Sequence, residues 1–142
     1  MMKVFTLLFL SLSLASHSHG LHLFRAHKVA VHLTNRLGPG RELTVHCGSH
    51  DDDIGYKTLG DEKDIEWSFH TNVWGTTLFY CNLWFGKADR KTFYRFDAYD
   101  DVRDSRRCRK ECRWMITNQS TLAGLNEDTG FWEPFVLKKM RQ

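Results

Sequence analysis

Apolar and polar residues alternate with period two along most of this chain, in short runs separated by turn residues. In "KVAVHLTN" Val29, Val31 and Leu33 share one face. In "ELTVHC" Leu43, Val45 and Cys47 do the same, and "RLGPGR" between the two runs is a breaker. "DIEWSFHTN" sets Ile65, Trp67 and Phe69 inward against Glu66, Ser68 and His70. "TTLFYCNLWFG" is apolar on both faces, which predicts a central strand covered on both sides. "KTFYRFDAYD", "CRWMITN" and "FWEPFVLKKM" complete the series, and Pro134 assigns the last run to an edge. Only "DDVRDSRRCRKEC" has room for a helical turn. The pattern predicts an all-β fold, an antiparallel β-sandwich of about seven to eight strands.

The first twenty residues stand apart from this pattern. Lys3 precedes an apolar run from Val4 to Ala15, and Ser18 and Gly20 occupy the −3 and −1 positions of a cleavage point. The run is shorter than the ~20 apolar residues that span a bilayer. Residues 1–20 are therefore expected to be a secretory signal peptide, and residues 21–142 one domain opening with a loose arm at 21–26. No later stretch is apolar enough to enter a membrane, so membrane insertion is not expected. The full chain carries a net charge of +3, and losing Lys3 lowers it to +2, too small an excess to suggest nucleic acid as a partner.

Export changes how the cysteines are read. Cys47, Cys81, Cys108 and Cys112 are an even set in an oxidising compartment, which implies two disulfides. A zinc site is disfavoured by the cations around Cys108 and Cys112. Three pairings are formally open. Long loops constrain the unfolded chain most, so the expected bridges are Cys47–Cys112 and Cys81–Cys108, worth on the order of 4 and 3.5 kcal/mol.

The order of these runs resembles the plant self-incompatibility S-protein homologue family. The resemblance rests on His46-Cys47 with the aspartates after it, on Thr77-Leu78-Phe79-Tyr80-Cys81, and on Cys108-x3-Cys112-x-Trp114. It extends from about Val29 to Ile116. It implies a small secreted β-sandwich with two disulfides. The founding members are stigma-secreted ligands recognised by a pollen receptor, which leads to calcium entry and arrest of the pollen tube; most homologues have no known role. A cell-surface receptor protein is the partner this implies.

Candidate sites can be weighed residue by residue. Asp51, Asp52 and Asp53 do not fit a helix-flanked calcium loop, because Gly55 and Tyr56 stand where a fifth-position oxygen and a sixth-position glycine are needed. They read as a solvated turn tightened by side-chain hydrogen bonds. His46 and His50 could approach one another without an obvious third ligand, so no metal and no cofactor are expected. No nucleophile with a base is evident, and oxidised cysteines offer no thiolate, so the chain is not expected to be an enzyme. The rings of Tyr80, Trp84 and Phe93 read as core. The segment 99–113 is densely charged and pinned by Cys108 and Cys112. Asp100, Asp101, Arg103, Asp104, Arg106 and Arg107 are its candidate partner-binding residues, with internal ion pairing as the competing account. Asn118-Gln119-Ser120 is a glycosylation sequon. The expected function is extracellular recognition or signalling through a receptor. The alternative is a secreted carbohydrate-binding or defence-type protein on the same scaffold, without a self-incompatibility role.

Overall fold

The computed structural model describes residues 26–87 and 89–141. The expected leader and all of the arm except Ala26 lie outside the described residues. The strands are β1 (Lys28–Asn35), β2 (Leu43–Gly48), β3 (Asp53–Leu59), β4 (Asp64–His70), β5 (Leu78–Lys87), β6 (Arg90–Asp100), β7 (Glu111–Ile116), β8 (Leu122–Leu125), β9 (Trp132–Phe135) and β10 (Lys138–Lys139). One short helix, α1 (Asp101–Arg107), lies between β6 and β7.

Two five-stranded sheets form the sandwich. Sheet A has the order β4-β1-β7-β8-β9 and sheet B the order β10-β6-β5-β2-β3. All pairs are antiparallel except β1 with β7, which run parallel with Leu33 opposite Trp114. The expected β-sandwich is present, with this one parallel pair at the centre of sheet A.

The inward residues are those the alternation selects. Val29, Val31 and Leu33 of β1, Leu43 and Val45 of β2, Ile65 and Trp67 of β4, and Leu83 and Phe85 of β5 are buried in one cluster with Trp114 and Ile116 of β7. Trp114 crosses between the sheets, and its indole N–H donates to the Ala98 carbonyl at 2.8 Å, so a large buried ring leaves no polar atom stranded. At the "RLGPGR" turn, fully buried Asn35 donates from Nδ2 to the carbonyls of Arg41 and Leu59 and accepts from the Leu37 amide. That side chain supplies hydrogen bonds that no strand ladder can provide there.

β5 is central in sheet B but not covered on both sides. Its outward residues Tyr80, Asn82 and Trp84 are only half-buried. Their cover comes from cross-strand neighbours. Trp84 stacks on Phe93 at 5.0 Å, Tyr56 stacks on His46 at 4.1 Å, and Arg95 lies over Tyr80 at 4.1 Å. Tyr80, Trp84 and Phe93 are therefore outer-face rings rather than core. The C-terminal run divides into two edge strands, β9 on sheet A and β10 on sheet B, with Pro134 on an edge as expected.

The disulfides are Cys47–Cys81 and Cys108–Cys112, not the expected Cys47–Cys112 and Cys81–Cys108. Register explains the correction. Cys47 and Cys81 stand directly opposite each other on β2 and β5, with Cα atoms 4.1 Å apart. Cys108 caps the end of α1, and Cys112 enters β7 within the reach of the short loop between them. Ranking pairs by loop length favoured the larger entropy, but only pairs within bridging distance can form a bond.

Candidate recognition surface

The charged segment folds around two buried carboxylates. Asp100 is the N-cap of α1 and accepts from the Val102 amide at 3.0 Å. Asp104 is fully buried and accepts from Arg103 at 2.6 Å, from Arg107 at 2.8 Å and from the Asp100 amide at 2.9 Å. Asp101, also buried, accepts from the Tyr99 hydroxyl at 2.8 Å. Burial, and then this hydrogen bond, push the Tyr99 hydroxyl far above its ordinary range, so it stays a neutral donor. Partial burial works against the charge on Arg103, but its hydrogen bond to Asp104 and the nearby aspartates outweigh that and raise its pKa. Arg107 is buried, lies 4.2 Å from the Trp114 ring centroid and donates to the Leu125 carbonyl.

This geometry divides the six candidates. Asp101, Asp104 and Arg107 are buried and face inward, where a partner cannot reach them; for these three, internal pairing is the account that fits. Asp100 and Arg103 are partly committed to the same network. Arg106 alone projects into solvent without an ion pair among the described residues.

Arg109 and Lys110, in the loop closed by Cys108–Cys112, are exposed as well. Glu127 holds that loop from the β8–β9 connection. Its carboxylate accepts from the amides of Arg109 and Glu111, both at 2.8 Å, and of Lys110 at 3.4 Å. Arg109 and Lys110, on a backbone fixed by a covalent bond and a three-amide clamp, thus form a basic tip with Arg106 in the last turn of α1. Sequence reasoning missed Glu127, which is 16 residues or more from its partners and carries no local signal.

Asp51 and Asp52 lie in the turn between β2 and β3, and Asp53 opens β3. The Ser49 amide donates to the Asp52 carbonyl at 2.8 Å, and Asp53 accepts from the Gly55 amide at 2.9 Å and pairs with His46 Nε2 at 2.8 Å. The hydrogen bond from His46, and then the Gly55 amide, hold the Asp53 carboxyl below its ordinary range. His50 lies against Asp51 rather than beside His46.

The register brings together another trio. His32 Nδ1 lies 3.8 Å from Asp64 and 3.5 Å from Glu66 on the outer face of sheet A. The three donors are close enough to share a cation, but His32 Nε2 is buried without the acceptor that a ligating imidazole ordinarily has for its second nitrogen. Asn118 is exposed in the β7–β8 turn, where Arg41 donates to its carbonyl at 3.1 Å and to Ser120 Oγ at 3.1 Å.

Comparison with known proteins gives consistent matches. The family model described as plant self-incompatibility protein S1 matches residues 30–135. Self-incompatibility protein S1 of Papaver rhoeas is 33% identical over 80% of this chain and 81% of its own length. S-protein homolog 3 of Arabidopsis thaliana is 46% identical over 71% of this chain and 67% of its own length. A solved structure titled as a self-incompatibility protein homologue, from a family of small, highly stable, secreted plant proteins, superposes with a TM-score of 0.58 at 19% identity. It covers 82% of this chain and 97% of the solved one, and supports the shared fold.

Proposed function

This chain belongs to the plant self-incompatibility protein S1 family, whose solved relative is described as one of a family of small secreted plant proteins, and from that premise we propose that it is a secreted recognition ligand for a cell-surface receptor protein. The observation that carries the proposal is the basic tip. Arg109 and Lys110 are exposed on a loop whose backbone is already ordered by Cys108–Cys112 and Glu127, and Arg106 is exposed in the last turn of α1 before it. Binding through such a loop loses little conformational entropy, and its unpaired cations select an acidic partner surface and speed the encounter. All four cysteines are in disulfides, so none offers a thiolate nucleophile.

The test is saturable binding of the labelled mature protein to plant plasma-membrane vesicles, with and without protease treatment of the vesicles. Arg106→Glu combined with Arg109→Glu is expected to weaken binding at least tenfold while the thermal melt stays in place. Equal binding by the variant would remove the tip from the interface. Absence of any protease-sensitive saturable binding would end the receptor reading.

A further inference from the structure

The outer face of sheet A holds a trough of about 570 Å³ that the receptor reading does not use. Thr34 of β1, Met115 of β7, Thr117 just after it and Trp132 of β9 are among its lining residues. Arg113 is level with His32 in the β1–β7 register, and Arg36 comes four residues after His32, just past the end of β1. At the rise of an extended strand, the Cα atoms of His32, the register partner of Arg113, and of Arg36 are about 13 Å apart.

The chemistry of the lining is that of a hydroxyl-rich ligand. Trp132 is 44% exposed, and its ring stacks on no other aromatic ring among the described residues. An exposed indole suits the C–H face of a sugar ring, being apolar on the plane and polar at the edge. Arg36 pairs with Glu62 at 3.0 Å and Arg113 with Glu111 at 2.6 Å. Each pair occupies one guanidinium nitrogen, fixes the side chain and leaves further N–H groups for hydroxyl oxygens, while the carboxylate remains an acceptor. Arg36 and Arg113 are each paired with a glutamate, and Asp64 and Glu66 lie beside His32, which offsets the positive charge of the lining. We infer that this trough is a binding site for a neutral oligosaccharide, with Trp132 as the stacking platform and the two arginines as end anchors. It does not depend on the receptor reading.

Asn118 stands on the rim, so the experiment uses protein made without N-glycosylation, where no attached glycan can fill the trough in cis. Binding of cellohexaose, xylohexaose, mannohexaose and trigalacturonate is measured by calorimetry at 50 and 500 mM salt. At least one neutral hexasaccharide is expected to bind, with less than a twofold change between the two salt concentrations. Trp132→Ala is expected to weaken that binding at least tenfold, and Arg113→Met several-fold, both in protein whose far-ultraviolet spectrum and melt match the parent. The second variant, at an exposed position on a central strand, guards against loss of the β9 edge in the first. No binding of any neutral chain at millimolar concentration, binding unchanged in both variants, or binding of trigalacturonate alone would each overturn the assignment.

Discussion

Arg106 and Arg107 show how differently neighbouring charges can behave. Arg107 sits among Asp104, the Leu125 carbonyl and the rings of Trp114 and Phe135, whereas Arg106 one residue earlier stands in solvent. Removing one partner of a buried pair strands the other charge, which costs about 3–5 kcal/mol. An exposed substitution usually stays within about 0.5 kcal/mol. Arg107→Met is therefore expected to lower the urea midpoint steeply, and Arg106→Met to leave it nearly unchanged, at similar denaturant slopes. Composition made these two arginines look equivalent. Only their angular positions on a seven-residue helix packed against β6 and β7 separate them. Asn35 and Glu127 were invisible for a related reason, since each is defined by backbone groups remote in the chain.

At the level of elements, the strands were legible wherever one face is buried and the other wet. β1, β2, β4 and β7 announce themselves by alternation, because the pleat sends successive side chains to opposite faces. β3 and β8 do not. β3 is an edge strand with Gly55 inside it and no alternation of buried and exposed positions, and β8 is a four-residue run of small and aliphatic residues with no wet face. The two disulfides also differ as elements. Cys47–Cys81 closes a 34-residue separation and Cys108–Cys112 one of four. Loop-closure entropy then assigns about 4 kcal/mol to the first and about 2 kcal/mol to the second. Replacing Cys47 and Cys81 together by alanine is expected to destabilise the domain more than replacing Cys108 and Cys112, as read by guanidinium unfolding. The second pair of replacements should instead loosen the basic tip, seen as faster amide exchange at Arg109 and Glu111. Non-reducing peptide mapping checks the pairing itself.

For the molecule as a whole, acid is the informative stress. Asp53 is held below its ordinary value of 3.8 by His46, and Glu111 below its ordinary 4.5 by Arg113. A carboxyl depressed in the folded state releases its proton there more readily than in the unfolded chain. Its contribution is complete above the ordinary value and disappears as pH falls through the depressed one. The melting temperature is therefore expected to stay level from about pH 7 to about pH 5 and to decline below about pH 4, with a small amplitude because both groups face solvent. Calorimetric scans across that range check the sign; a melting temperature that rises on acidification would contradict it.

From the sequence alone follow the sandwich class, the inward set of apolar residues, the oxidised state of four cysteines and the kinship. All are carried by local periodicity, a leader pattern and motif order, which survive in one dimension. Tertiary structure decided which cysteine bonds which, which half of the 100–107 charges turns inward, and that Arg36, Arg113 and Trp132 line one trough. Those depend on strand register and on the parallel pairing of β1 with β7, where residues far apart in the chain compete for the same neighbours. The outcome is set by the packing of the whole core, not by any single run of residues.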